Sequence, residues 1–190
     1  AVGTWDGTTV SPGSEYNHGI NVGCVNGVTI MGNLLEKVRG DGISTDACRQ
    51  SGGLSQNVLV ANNTTKDTWR CGIAFTTTST NWVVRDNLID KQVNYVAGID
   101  FEPWTTPLTV TSVEVLYNRF NMNNRAPLAS PSSGSASGTA VYGWAAVPAP
   151  GGTIWVHHNY GAFGTGFGLF DGPWKNITET SNAEGSAPPG

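Results

Sequence analysis

Val58-Leu59-Val60-Ala61-Asn62-Asn63, followed ten residues on by Gly72-Ile73, is the stretch from which the fold is read. Its first part carries apolar residues at positions 0 and 2 and an asparagine at position 5, the period-2 signature of a strand with one buried face. The same pattern returns in Val28-Thr-Ile-Met-Gly-Asn33, Trp82-Val-Val-Arg-Asp-Asn87, Val113-Glu-Val-Leu-Tyr-Asn118 and Ile154-Trp-Val-His-His-Asn159. A second set of anchors, Gly19-Ile20, Gly42-Ile43, Gly72-Ile73 and Gly98-Ile99, continued by Val141 and Leu169, interleaves with the first. The step from asparagine to anchor is 10 residues for Asn33 to Ile43, Asn63 to Ile73 and Asn159 to Leu169. It is 12 for Asn87 to Ile99 and 23 for Asn118 to Val141, where the same step carries an insertion.

A short strand, a polar corner and a second short strand, repeated with a variable return, describe a coil of parallel strands whose turns share one core. Neighbouring turns lie about 4.7–4.9 Å apart. The asparagines would stack at a corner, bonding peptide groups and each other, in a position that tolerates the left-handed conformation. These motifs resemble the right-handed parallel β-helix repeats of the pectate-lyase-like superfamily of carbohydrate-active enzymes and phage tailspikes, over residues 17–171. The expected fold is all-β: one right-handed parallel β-helix domain of about five turns over 1–180. That is short for such enzymes, so the chain reads as a truncated solenoid, or as one whose open edges are covered by further domains or in a trimer. Residues 119–139 read as a loop insertion and 181–190 as a flexible tail or linker.

Composition narrows the partners. With 25 Gly and 10 Pro in 190 residues the chain is not a helical bundle. A net charge of −4 leaves no basic face for nucleic acid. No apolar run is long enough to span a membrane as a helix. A lysine-poor, Thr-, Asn- and Trp-rich composition points to a secreted protein. Of the three cysteines, Cys24 and Cys48 fall over each other on neighbouring turns and suit a disulfide, while Cys71 reads as an inward, buried thiol.

The candidate site comes from the residues beside the second anchors. Positions +1 and +3 alternate with the inward anchors and should face solvent. At +1 stand Asn21, Ser44, Ala74 and Asp100, and at +3 stand Gly23, Asp46, Thr76 and Glu102. Asp46, Asp100 and Glu102 thus share one wall. Asp100 and Glu102, two residues apart on a strand, lie roughly 7 Å apart, and Asp46 and Glu102, two turns apart, roughly 9–10 Å. Inverting glycoside hydrolysis uses two carboxyl groups about 6.5–9.5 Å apart, and like charges so close should leave one group protonated. Trp104, just past the acidic strand, is either a stacking platform for a pyranose ring or a residue packed on its own loop beside Pro103 and Pro107. Trp69, Trp144 and Trp155 are further platform candidates, and Trp82 is core. Arg49 is the one cation near these columns, and Thr76 a small polar neighbour between the acids. Asp41 reads as a turn residue, and His157 and His158 as neighbours pointing to opposite faces. No His-x3-His or Cys-x2-Cys spacing marks a zinc site.

The resulting expectation is an extracellular polysaccharide-degrading enzyme, an inverting glycoside hydrolase with Asp46, Asp100 and Glu102 as catalytic residues and Trp104, Arg49 and Thr76 on the substrate. No cofactor is required, although the three acids could hold Ca²⁺, which would favour a polysaccharide lyase or epimerase. From another class comes a non-catalytic glycan-binding or structural β-helix of the tailspike or adhesin kind. Its partner would also be a polysaccharide or oligosaccharide.

Overall fold

A computed structural model describes residues 17–45, 53–91, 97–102, 110–122, 139–143, 152–163, 170–171 and 177–185. Among them there is no helix, and the strands form three six-stranded parallel sheets. The first sheet holds β1 (Ile20–Asn21), β4 (Ile43–Ser44), β7 (Ile73–Phe75), β10 (Ala97–Phe101), β13 (Thr139–Gly143) and β16 (Phe170–Asp171). The second holds β2 (Asn26–Met31), β5 (Leu54–Ala61), β8 (Thr78–Arg85), β11 (Val110–Leu116), β14 (Ile154–His157) and β17 (Ile177–Thr180). The third holds β3 (Leu34–Glu36), β6 (Thr64–Lys66), β9 (Leu88–Lys91), β12 (Arg119–Met122), β15 (Tyr160–Ala162) and β18 (Ala183–Glu184). Successive strands visit the three sheets in rotation, an arrangement consistent with a parallel β-helix.

The register follows the two repeats. Ile20 pairs with Ile43, Ile43 with Ile73, Ile73 with Ile99, and Ile99 with Val141. Val28, Val58, Trp82, Val113 and Ile154 form the matching column of the second sheet. One anchor shifts: Val141 pairs with Phe170, not with Leu169, which lies outside the described residues. Two boundaries shift as well. Arg119–Met122 is paired strand rather than the start of a loop, and Ala183–Glu184 is paired strand rather than tail. In both places the strand is extended by ladder hydrogen bonds to the turn before it, which local composition does not reveal.

The inward residues make one continuous core. Ile43, Ile73, Ile99, Val141, Val60, Val84, Val115 and Val156 are all essentially without solvent exposure. Phe75 and Phe101 stack at 4.9 Å between ring centroids, and Trp82 meets Phe75 edge-on at 5.0 Å while its indole N–H donates to Ser55 O. The glycine before each first-sheet anchor has a packing reason. A Cβ on Gly72 would lie 2.8 Å from Gly98 O, and one on Gly98 2.7 Å from Ala140 O, so only hydrogen fits between neighbouring turns there.

The corner asparagines form a continuous hydrogen-bonded stack. The side-chain amide of Asn33 donates to Asn63 Oδ1, and the relation repeats from Asn63 to Asn87, Asn87 to Asn118, Asn118 to Asn159 and Asn159 to Asn182, at 2.9–3.1 Å. Each accepting Oδ1 also takes the backbone N–H of the preceding asparagine, so polar groups that the corner buries are paired. The left-handed residue is not the asparagine itself but the one before it: Gly32, Asn62, Asp86, Tyr117, His158 and Ser181 all have φ between 53° and 71°. Asn182 belongs to the stack and lies five residues after Ile177, the same offset as its fellows. It escapes the sequence pattern because Ile177-Thr-Glu-Thr180 has no second apolar residue.

Candidate functional site: a buried cluster of acids around Arg70

Over β4, β7 and β10 the first sheet is covered on both faces, as parallel sheets usually are, whereas Asn21 in β1 is exposed as expected. Ser44, Ala74, Thr76, Asp100 and Glu102 were expected to face water, and each is instead buried. The reason is a second, outer apolar cluster. Trp69, Cys71, Ala74 and Ala97, with Tyr142 packed against them, lie on the side of the sheet away from the main core. Cys71 is thus a buried free thiol as expected, but on the outer side of the sheet rather than in the core. Trp69 is buried too and offers no platform. Cys24 is disulfide-bonded, and Cys48, its expected partner, lies outside the described residues.

Four charged side chains and one thiol meet in this outer layer. Asp100 sits between Ala74 and Tyr142 in the strand register. One residue past β10, Glu102 continues the ladder through its N–H to Phe75 O. Arg70 reaches across the turns, its Nη2 bonded to Glu102 Oε1 and its Nε 3.5 Å from Asp41 Oδ1. Cys71 joins the remaining acids: its N–H donates to Asp41 Oδ1 at 3.0 Å, and its sulfur lies 3.7 Å from Asp100 Oδ2. Asp41 is therefore an organising member of the site and not a simple turn residue. His18 Nδ1 accepts the Asp41 N–H at 3.1 Å and lies 3.1 Å from Asp41 Oδ2. Arg70 and the Cys71 N–H both face Asp41 Oδ1, and Arg70 is the strongest of the groups that hold the Asp41 charge.

The electrostatics split the acids. Burial is the largest influence on the Asp41 carboxyl and pushes it up, but Arg70, His18 and the Cys71 N–H together more than offset it and hold the group at about 2. Burial pushes Asp100 well above the usual carboxylate range, and the neighbouring charge of Glu102 adds to it. Burial works against the Arg70 cation as well, yet Asp41 and Glu102 keep it protonated. Burial raises the Cys71 thiol, with Asp41 and Asp100 reinforcing it, so its sulfur is no thiolate nucleophile. The site thus sets a carboxyl of raised proton affinity, Asp100, two residues before the Arg70-bound Glu102.

Of the residues singled out from sequence, Asp100, Glu102 and Thr76 lie together on this face. Thr76 is buried, with its N–H donating to Thr45 Oγ1 at 2.8 Å. Asp46, Arg49, Trp104 and Trp144 lie outside the described residues. Arg70 is a cation at the site that the sequence reading, which named Arg49, did not foresee. Sequence reading missed Arg70 and took Asp41 for a turn residue because they precede their anchors by three and two positions, outside the alternating columns. His157 and His158 do not point to opposite faces: their Nδ1 atoms are 2.7 Å apart, because His158 takes the left-handed conformation and swings its ring back. Among the described residues no group of three or more His, Cys, Asp or Glu side chains is arranged to hold a metal ion. No family model, curated protein or solved structure matches this chain.

Proposed function

We propose that the chain is a secreted, polysaccharide-degrading enzyme built on a right-handed parallel β-helix of the pectate-lyase-like kind, and that it acts as an inverting glycoside hydrolase. One observation carries the reading: Asp100 is buried beside Glu102, which pushes its carboxyl well above the usual carboxylate range and toward the proton-donor role that general acid–base chemistry needs. Asp100 donates its proton to the leaving glycosidic oxygen, and the Glu102 carboxylate takes a proton from the water that attacks the opposite face of the sugar. Their spacing along the strand, roughly 7 Å, falls in the inverting range and outside the retaining one. Arg70 orients Glu102 and is a positioning residue. Asp46 is the third catalytic carboxylate in this reading, and Trp104, Arg49 and Thr76 supply the substrate contacts. The disulfide at Cys24 supports an oxidising, extracellular setting.

The test is release of reducing ends from a panel of neutral and acidic polysaccharides, with and without EDTA, while ultraviolet absorbance is followed for unsaturated products. Hydrolysis without new absorbance, indifferent to EDTA and lost by roughly 10²–10⁴-fold in Glu102→Gln and Asp100→Asn, is the expected result. EDTA-sensitive production of unsaturated ends indicates the Ca²⁺-assisted lyase instead. A non-catalytic glycan-binding or structural β-helix is favoured by a different observation: Asp100 is 0% and Glu102 3% exposed, a degree of burial typical of a structural polar cluster. Absence of turnover on every substrate would select that reading.

A further inference from the structure

The second sheet carries an aromatic residue that its own packing does not explain. Ile154 and Val156 face the core, so Trp155 between them stands on the outer face, 46% exposed. An indole left in water at that position is nonetheless fixed on two sides. Its N–H donates to Thr180 Oγ1 at 3.2 Å, and its ring lies 4.4 Å from the imidazole of His157. His157 is in turn held at 2.9 Å by Glu114 Oε1, and Glu114 is the strand-register neighbour of Trp155. Beside the indole lies a shallow, open groove of about 490 Å³ lined by Ser112, Val113, Glu114, Gly152, Thr153 and Trp155. That volume is within the range of small-molecule sites, about 300–1,000 Å³.

The lining chemistry selects the ligand. A rigid, flat apolar face suits the C–H face of a sugar ring, while the carboxylate and two hydroxyls beside it suit the hydroxyl groups at the ring's edge. The single charged lining group is an acid, so an anionic sugar would be repelled. We propose that Trp155, Glu114, Ser112 and Thr153 form a subsite for a neutral hexopyranose unit of a glycan, on a different sheet from the Arg70 cluster. This inference does not rest on catalysis by Asp100 and Glu102.

Native affinity electrophoresis tests it, in gels holding soluble starch, pullulan, barley β-glucan, xyloglucan or galactomannan, with polygalacturonate as the anionic control. The protein is expected to be retarded by at least one neutral polysaccharide and not by polygalacturonate. Trp155→Ala is expected to weaken that retardation about tenfold, Trp155→Phe less, and Glu114→Gln a few-fold. Asp100→Asn keeps the Trp155-dependent retardation even where it abolishes turnover, which separates this subsite from the catalytic reading. Retardation by polygalacturonate alone, by no neutral polysaccharide, or equally in Trp155→Ala and the parent chain overturns the proposal. Should circular dichroism show Trp155→Ala to be unfolded, Trp155→Phe and Glu114→Gln both migrating like the parent chain overturn it.

Discussion

Replacing Arg70 with methionine keeps most of the aliphatic stem and removes the one cation seen between Asp41 and Glu102. The guanidinium side chain is only 8% exposed and its partners 0% and 3%, so solvent cannot take over its role. Removing one partner of a buried ion pair costs about 3–5 kcal/mol, a large share of a typical total of about 5–15 kcal/mol. At a urea dependence of about 2 kcal/mol per M, the unfolding midpoint at neutral pH should fall by about 1.5–2.5 M. The loss should also depend on pH in a defined direction. In the parent chain Asp41 is held at about 2 against an ordinary 3.8. That displacement supplies about 2 kcal/mol, fully present above pH 3.8 and lost as pH falls through 2. Without Arg70, burial dominates and the Asp41 carboxyl moves up, so the folded variant gains a proton on mild acidification and the gap to the parent narrows. His18, Cys71, Asp100 and Glu102 face the same space. Urea titrations at pH 7 and pH 4.5 measure both quantities. A variant within about 1 kcal/mol of the parent at pH 7, or a deficit that does not shrink on acidification, refutes the reasoning.

Two further outcomes follow from the same physics. Asp100 has its folded-state value raised, so its contribution to stability is present below pH 3.8 and is lost as pH climbs through that raised value. Asp100→Asn should therefore raise the urea midpoint at pH 7 while abolishing turnover, and a lowered midpoint at that pH counts against the buried-acid reading. Asn118→Ala removes four side-chain hydrogen bonds from the middle of the corner stack and strands the Asn87 N–H. At about 1 kcal/mol per bond and about 1–3 for a stranded donor, the loss should be about 5 kcal/mol or more, against about 2 for Asn33→Ala, whose side chain makes two bonds at the end of the stack, both read by urea unfolding.

The stack, the anchors and the alternation were legible because each is a repeat: one residue type at one offset, turn after turn, with the same neighbours above and below. Asp100 and Glu102 were legible as same-face acids from strand alternation alone. Their protonation was legible only as an expectation of repulsion, whereas its larger cause is burial. Burial came from Trp69, Cys71, Ala97 and Tyr142, which meet only when segments of different turns are laid over one sheet. The left-handed residue before each corner asparagine was likewise hidden, since Gly, Asn, Asp, Tyr, His and Ser all fill it. There the ladder geometry imposes the conformation whatever the residue prefers.

Periodicity by itself determined that this chain stacks parallel strands, and in which register, because a one-residue slip would turn every apolar side chain outward. Only the folded arrangement decided that Arg70 lies between Asp41 and Glu102 and that Ser44, Ala74, Asp100 and Glu102 on the outer wall of the first sheet are dry. Those contacts join residues with no shared spacing, and the free energy of a buried charge depends on everything that excludes water from it.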